Sequence, residues 1–367
     1  MIIEQVMSDF WYIEDRTAWF ISTWNCFLYK MNLNTRKIDC VGIIPDERNS
    51  MHLYVNCLKY CNFIFCFPDL GKHIYRFDLR NQQWERLCEN YFMEKRAGVK
   101  ALTINKNIVI LFSKGLNALL WFDLIKGKIL KRFTINTDEA EIGQAIYHQN
   151  RVFITDRKRP IVYVYDLTND TISDRLISDS QCGFNTIVSV RNDILLTGNE
   201  KYIYKWDTYE NRISRYELSD DIGEYVVQGN QRGKIIYDIE KFVNPIFISS
   251  ISAGNKVYFV PFITNKLVCL EEEYISYINM IDEEENKDTL SRDCAVKFTE
   301  LAVTVNNRIV LCSYKNSQYE TICVDNDEFN LLKCELSGNI CRQLSENGEL
   351  LHESKGFKLD DYIKIVM

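Results

Sequence analysis

The sequence predicts an all-β protein, a seven-bladed β-propeller of four-stranded antiparallel blades. Two observations predict this fold. Segments similar to "YRFDLRNQQWERL", which begins at Tyr75, recur along the chain. An asparagine also stands just before a short apolar run in successive copies, and four of these asparagines are spaced by 45, 43 and 42 residues: Asn62, Asn107, Asn150 and Asn192. Four short strands repeated at about this period are typical of propeller blades.

Two markers keep the same register in seven copies. The residue before the apolar run is Asp15, Asn62, Asn107, Asn150, Asn192, Asn255 or Asn307. An acidic or amide residue follows 15 to 18 positions later, at Asn32, Asp78, Asp123, Asp166, Asp207, Glu271 and Asp325. Six positions further comes an apolar or aromatic residue, at Ile38, Trp84, Ile129, Ile172, Ile213, Tyr277 and Leu331. A stack of unrelated β-sandwiches, the alternative architecture, would not keep this register.

Each copy contains four runs rich in β-branched and aromatic residues, separated by turn residues. In the fourth copy the runs are "QAIYHQN", "RVFITD", "IVYVYDL" and "ISDRLIS". We expect the Asn before the second run to adopt the left-handed backbone of a tight hairpin turn. We expect the Asp after the third run to accept backbone N–H bonds and start a turn, with the aromatic residue before it packing between blades.

The copies define a domain of residues 1–340 and a C-terminal tail of residues 341–367 that packs on the propeller or closes it. The predicted blades cover about 9–45, 51–90, 98–135, 142–179, 183–218, 246–281 and 296–338. Insertions of residues 219–243 and 282–293 lengthen the last two asparagine steps to 63 and 52 residues. Either terminus is able to seal the seam between the first and last blades.

Composition limits the classes of function. The 367 residues carry a net charge of −7 with a pI near 5.4, which argues against a nucleic-acid or anionic-membrane binder. No uncharged apolar run reaches 18 residues, and the first residues lack the features of a signal peptide. The 13 cysteines are odd in number and mostly lie in apolar runs, so we expect reduced thiols in a cytoplasmic protein. Cys57, Cys61 and Cys66 lack a CxxC pair or a nearby His, so we expect no metal and no cofactor.

The copies resemble kelch-type blades, in which an aromatic–Asp pair ends the third strand and a Trp often follows. Phe77, Asp78 and Trp84 in "YRFDLRNQQWERL" give the closest match, and "VYVYDLTNDTISDRL" is similar. The resemblance covers about residues 9–338. The Gly-Gly pair usual after the second kelch strand is missing, and one copy alone keeps the Trp. The resemblance implies a degenerate kelch-like propeller, an interaction scaffold whose relatives include some enzymes.

Candidate binding residues follow from propeller topology, in which the loops between second and third strands share one face with the connections between blades. Both insertions should therefore rise from the same face as the loop "DRKRP", whose Arg157, Lys158 and Arg159 can grip a carboxylate or phosphate. A solvated run of charge is the alternative interpretation. Residues at the starts of first strands are candidates for a small polar ligand at the channel mouth: His52, Arg96, Lys100, Glu141, Gln144 and Asn185.

The sequence contains no motif of a known catalytic site. Its four histidines lack metal-binding spacing, and there is no nucleophile elbow, P-loop or dinucleotide fingerprint. We therefore expect a non-enzymatic protein-interaction scaffold or ligand-binding propeller, with another protein as the partner and its docking surface on the insertion face. The alternative is a lyase, hydrolase or cyclase acting on a small polar substrate, for which His52, Arg96 and Glu141 would have to cluster. A solitary ligand sensor is the third hypothesis.

Overall fold

The computed structural model describes residues 11–22, 26–45, 47, 53–92, 99–113, 116–135, 140–219, 246–261 and 266–279, and strand backbones at 302–303, 308–312, 318–323, 328–333 and 335–336. These residues form twenty-nine strands in seven sheets. The first sheet contains β1 (Tyr12–Glu14), β2 (Thr17–Ile21), β3 (Phe27–Asn32) and β4 (Lys37–Ile43). The second contains β5 (Tyr54–Tyr60), β6 (Phe63–Pro68), β7 (His73–Asp78) and β8 (Gln83–Glu89). The third contains β9 (Val99–Thr103), β10 (Ile108–Ser113), β11 (Ala118–Asp123) and β12 (Lys128–Thr134).

Three further sheets follow in the same order. The fourth contains β13 (Ile142–His148), β14 (Arg151–Asp156), β15 (Ile161–Asp166) and β16 (Thr171–Leu176). The fifth contains β17 (Phe184–Val190), β18 (Asp193–Gly198), β19 (Tyr202–Asp207) and β20 (Arg212–Glu217). The sixth contains β21 (Phe247–Ala253), β22 (Lys256–Pro261), β23 (Lys266–Glu271) and β24 (Tyr274–Asn279). In every sheet consecutive strands are hydrogen-bonded neighbours, as predicted for four-stranded antiparallel blades.

The last sheet contains β25 (Ala302–Val303), β26 (Arg308–Cys312), β27 (Gln318–Cys323) and β28 (Glu328–Lys333). One residue after β28, the strand β29 (Glu335–Leu336) pairs in parallel with β4 of the first sheet. Glu335 stands opposite Lys37, and Leu336 stands opposite Ile38. The outer strand of the last sheet therefore continues onto the outer edge of the first, which ties these two sheets together.

The chain divides into two compact units. Unit 1 contains Met1–Ser113, Leu119–Phe133 and Thr299–Met367, and unit 2 contains Lys114–Ala118 and Thr134–Phe298. The cores of both consist of apolar side chains from neighbouring sheets. In unit 2, for example, the rings of Phe153 and Trp206 lie 5.7 Å apart and join the fourth and fifth sheets. The aromatic residues before the turn acids are buried, as predicted: Phe77, Phe122, Tyr165 and Trp206.

The hairpin turn between first and second strands lies where the sequence predicts it, but its left-handed residue usually differs. Cys61 (φ 53°), Arg191 (φ 54°) and Gly254 (φ 60°) are left-handed, and each immediately precedes the marker asparagine. Asn150 itself is left-handed (φ 60°), together with Gln149. Asp15, the marker of the first copy, is left-handed as well (φ 52°). The expectation that the marker residue adopts this backbone therefore holds for Asp15 and Asn150 and is wrong for Asn62, Asn192 and Asn255, where the preceding residue takes the positive φ.

The main-chain carbonyl of the turn residue explains the regular spacing. Asn62 O accepts a hydrogen bond from Leu79 N at 2.8 Å, seventeen positions later. The equivalent bond to Asn107 O comes from Leu124 N at 2.9 Å. Because this bond joins the first hairpin turn to the residue after the turn acid, the two markers keep a fixed distance along the chain.

The turn acids accept backbone N–H bonds, as predicted. Asp78 Oδ1 accepts from Arg80 N at 2.9 Å, and Asp166 Oδ1 accepts from Thr168 N at 2.8 Å. These backbone bonds hold the pKa of both carboxyls below the ordinary value. The two carboxyls have a structural role, because each backbone bond closes the loop that leads into the fourth strand.

Register differs from the prediction in the last two copies. In the sixth sheet the third hairpin has a two-residue turn, so Ile275 rather than Tyr277 stands opposite Leu270. In the last sheet Arg308 pairs with Cys323, which takes the place predicted for Asp325. Asp325 lies outside the described residues. Phe329 takes the place predicted for Leu331, because it pairs with Ile322, the residue before Cys323.

Candidate functional site

The loop end of unit 2 is the end of its sheets at which the loops Arg157–Pro160 and Asn199–Lys201 connect second to third strands. First strands begin at the same end, because Ile142 pairs with Asp156 and Phe184 pairs with Gly198. Arg157 N donates to Glu141 O at 2.8 Å. The fold therefore brings the predicted basic loop beside the predicted first-strand residues of the same unit.

Both long connections leave from the loop end. Leu218 N donates to Lys201 O at 2.9 Å, and Ile246 N donates to Gly198 O at 3.4 Å. The chain thus departs and returns beside the loop Asn199–Lys201. Apart from Ser219, whose N–H donates to the Tyr277 hydroxyl at 2.8 Å, the predicted insertions 219–243 and 282–293 lie outside the described residues. The sixth sheet ends at Asn279, which pairs with Lys266 at this same end.

The Arg159 side chain turns into the loop and is held there by hydrogen bonds. Its guanidinium donates to Asp156 Oδ2 at 2.9 Å and 2.8 Å and also contacts the Tyr163 hydroxyl. Asp156 is fully buried, and its Oδ1 accepts from Lys158 N at 2.9 Å. Asp156 is therefore the residue that shapes the basic loop. The sequence offered a signal for it, since Asp156 ends a buried apolar strand, β14.

Lys158 and Arg157 remain on the surface. Lys158 Nζ forms an ion pair with Glu141 Oε1 at 2.5 Å. Arg157 is exposed, and its guanidinium has no partner among the residues that the structure describes. Of the three basic residues predicted to grip an anion, Arg157 is thus the one whose charge is available.

Glycines let the basic loop lie against the next sheet. A Cβ on Gly183 would come within 2.1 Å of the carbonyl carbon and oxygen of Arg157, and one on Gly198 within 2.3 Å of Gly183 O. A Cβ on Gly143 would come within 2.4 Å of Phe184 O. These contacts require glycine, and they fix the position from which the Arg157 side chain projects.

Gln144 and Asn185 make structural bonds at the loop end. Gln144 Oε1 accepts from Ile187 N at 3.1 Å and so links the first strands of two neighbouring sheets. Asn185 Nδ2 donates to Asn199 Oδ1 at 3.0 Å. Both side chains are half-buried. Their position next to Arg157 and Glu141 agrees with a common polar surface, but their own hydrogen bonds hold the loops in place.

Three of the predicted channel-mouth residues, Lys100, His52 and Arg96, belong to unit 1. Lys100 lies on β9 opposite Phe112 and is buried, so its body is part of the sheet. His52 and Arg96 lie outside the described residues. The trio of His52, Arg96 and Glu141 that the enzyme hypothesis needs therefore stays a prediction.

Asp69 in unit 1 is a buried titratable group that the sequence analysis did not single out. Asp69 directly follows β6 in the stretch "FPDLG" and is buried. Desolvation raises the pKa of its carboxyl to about 7. Its only sequence signal is the one that Asp156 also carries, an acid at the end of a buried strand.

The cysteines considered as metal ligands are separated by the hairpin. Cys57 and Cys66 are buried and stand opposite each other on β5 and β6, whereas Cys61 is exposed at the turn. Within the described part of the chain, no three His, Cys, Asp or Glu residues are placed to hold a metal ion. That part also contains no helix with the length and hydropathy needed to cross a membrane.

No protein-family model and no curated protein matches the chain. Solved structures do resemble it. A virginiamycin B lyase from Staphylococcus aureus aligns over 89% of this chain and 94% of its own, with a TM-score of 0.60 and 10% identity. BamB from Moraxella catarrhalis aligns over 81% and 79%, with a TM-score of 0.51 and 10% identity. A chain of the mitotic checkpoint complex aligns over 86% and 83%, with a TM-score of 0.53 and 9% identity. The fold is therefore that of the β-propellers. At these sequence identities the structural similarity shows the fold alone and not the function.

Proposed function

We propose that this chain is a non-enzymatic interaction module, a degenerate kelch-like propeller, and that a partner protein docks at the loop end of unit 2. The observation that supports the proposal is the convergence of a rigidly held basic loop with the departure points of both long connections. Long connections on a rigid scaffold are frequent binding elements. The packing of Phe77 on Trp84, with ring centroids 4.8 Å apart, supports the kelch-like assignment.

The chemistry of the loop end favours an acidic group on the partner. Among the described residues the Arg157 guanidinium has no partner, and a guanidinium can bind a carboxylate or phosphate through paired hydrogen bonds. Lys158 and Glu141 neutralise each other at 2.5 Å beside it. Because Arg159 is held by Asp156, the net contribution of the loop to an incoming partner is the one charge of Arg157.

The experiment begins with recovery of partners by the tagged chain from extracts of its native cells and their identification by mass spectrometry. Binding of the purified partner is then measured by calorimetry. We expect Arg157→Glu to weaken binding at least tenfold, because it places like charges together in the interface. Arg212→Glu, at the opposite end of the fifth sheet, is the matched control and should keep the original affinity.

A second variant tests the long connection. Since Leu218 is hydrogen-bonded to Lys201 and Ile246 to Gly198, at the two sides of one short hairpin, we expect that residues 220–245 can be replaced by a short Gly-Ser linker without moving the strands. Loss of binding in this variant supports the docking surface. Original affinity in both this variant and Arg157→Glu would refute the proposal.

We also propose a cytoplasmic location. The described cysteines are free thiols, and burial raises the pKa of Cys57 to about 12, which suits a reducing compartment. Rapid alkylation of cell extracts followed by mass spectrometry should recover these cysteines in the reduced form. Recovery of a Cys57–Cys66 disulfide would contradict this location.

A further inference from the structure

The loop that follows β6 carries a buried carboxyl group, that of Asp69. Asp69 is 6% exposed, and within the described part of the chain its fully buried Oδ1 accepts no hydrogen bond. An isolated buried carboxylate is unfavourable, so a folded protein rarely keeps one without a use for it. Perturbed groups of this kind concentrate at functional sites.

The loop that carries Asp69 is held firmly by other atoms. Leu53 O accepts hydrogen bonds from Asp69 N and Gly71 N, both at 2.9 Å. The side-chain amide of Asn90 donates to Gly71 O at 2.9 Å, and Asn90 Oδ1 accepts from Phe92 N at 3.0 Å. These bonds hold the loop in place without using the Asp69 carboxyl.

A second buried carboxyl lies at the other end of the same loop. The Glu47 side chain is 4% exposed, and its Oε1 accepts from Lys72 N and from the Tyr54 hydroxyl, both at 3.0 Å. His73 Nδ1 is 3.7 Å from Glu47 Oε1. Among the described residues, no Lys or Arg side chain pairs with Asp69 or Glu47. The loop itself carries the exposed Lys72, but within the described part of the chain neither buried carboxyl is neutralised by a lysine or arginine ion pair.

Packing joins the two carboxyl groups into one region. A Cβ on Gly71 would come within 2.7 Å of the Tyr54 ring, so the loop lies directly on this ring between Asp69 and Glu47. The Phe92 side chain is buried, and Phe92 N bonds to Asn90, which also holds the loop. Lys72 is exposed and Leu70 partly exposed, so the loop borders solvent.

We propose that the loop Asp69–His73 binds an organic cation with N–H donors, a primary ammonium or a guanidinium group, and that Asp69 Oδ1 is its acceptor. Such a group supplies both the charge and the hydrogen bond that the buried carboxyl lacks. A hard metal ion fits less well, since it requires several oxygen ligands around one point.

The test uses n-butylammonium chloride and n-propylguanidinium chloride as separate probes on the full-length chain. Tetramethylammonium chloride, a cation without N–H groups, is the matched control for ionic strength and charge. The midpoint of thermal unfolding is followed against probe concentration. We expect a saturable rise with at least one N–H cation, and the two arms show which group is preferred.

Two variants identify the acceptor. Asp69→Asn keeps the shape of the side chain and removes its charge, and we expect it to weaken the apparent affinity at least tenfold. Asp174→Asn, at an exposed carboxyl on β16, should respond like the original chain. The proposal is overturned if Asp69→Asn responds like the original chain, if tetramethylammonium gives the same rise, or if neither N–H cation gives a saturable rise.

Hydrogen exchange on the unsubstituted chain gives a readout that does not depend on the folding of a variant. The probe should slow exchange in peptides that contain Leu53 and Asp69–His73, and leave the peptide of β16 unchanged. Equal protection everywhere would count against a site at this loop. Because the tested residues belong to unit 1, this result is independent of partner docking at the loop end of unit 2.

Discussion

The buried carboxylate of Asp156 and the guanidinium of Arg159 are joined by two hydrogen bonds, at 2.9 Å and 2.8 Å, across a turn of three residues. Asp156 is fully buried, so the pair lies mostly outside solvent. Removing one member of a buried pair leaves the other charge uncompensated. We predict that Arg159→Met lowers the free energy of unfolding by about 3 kcal/mol in urea denaturation.

Arg157→Met is the matched control for this prediction. Arg157 belongs to the same loop, is exposed, and has no side-chain partner within the described residues. Its substitution should change the free energy of unfolding by less than about 0.5 kcal/mol. Equal losses in the two variants would show that the pair with Asp156 does not stabilise the loop.

Gly183 allows the basic loop to lie on the fifth sheet. A Cβ at this position would come within 2.1 Å of the Arg157 backbone, which is too close for any relaxed structure. We predict that Gly183→Ala lowers the free energy of unfolding by about 3 kcal/mol, because the loop must move. Gly254→Asn is the control: Gly254 has open space around it, and asparagine tolerates its φ of 60°. A small effect of Gly183→Ala would contradict the close contact.

Asp69 makes stability depend on pH. Burial raises the pKa of its carboxyl from 3.8 to about 7, so the folded state favours the protonated form. Its contribution to stability is complete below pH 3.8 and is lost as the pH rises to about 7. A pKa difference of about three corresponds to roughly 4 kcal/mol. We predict that Asp69→Asn removes this loss and is more stable than the original chain at pH 8.

Urea denaturation of both proteins between pH 4.5 and pH 8 measures the effect. Asp78, Asp166 and Asp207 have lowered pKa values and act in the opposite sense, since their stabilisation is lost on acidification. The difference between variant and original chain is therefore the informative quantity. Parallel pH curves for the two proteins would mean that Asp69 titrates normally.

Gln82 occupies a left-handed position that suits glycine better. Its φ is 58°, and its N–H donates to Asp78 O at 2.8 Å at the end of the turn. In the third sheet the equivalent residue is Gly127, with a φ of 61°. We predict that Gln82→Gly raises the free energy of unfolding by about 0.5 to 1 kcal/mol. Gln83→Gly, at the first position of β8, should lower it by a similar amount, and the same sign for both would contradict the prediction.

The candidate site was predictable only in part. Topology alone was enough to place Arg157, Lys158, Glu141, Gln144 and Asn185 at one end of neighbouring strands, because strand order and register set which loops meet. It did not show that Arg159 turns inward to Asp156, because that depends on a buried hydrogen bond three residues away. The glycines under the loop were also missed, because the prediction considered a Gly-Gly pair rather than single glycines in separate segments: Gly143 in β13, Gly183 just before β17 and Gly198 at the end of β18.

The sequence by itself determined the repeat: four strands per copy, turn acids that accept backbone N–H bonds, and a marker residue 15 to 18 positions before the acidic or amide position. These features depend on bonds within one sheet, and a local pattern is sufficient to specify them. The tertiary structure decided which charges are free, which carboxyl is buried without a partner, and how β29 joins the first sheet. Those outcomes depend on contacts between segments far apart in the chain, which no spacing within a single copy records.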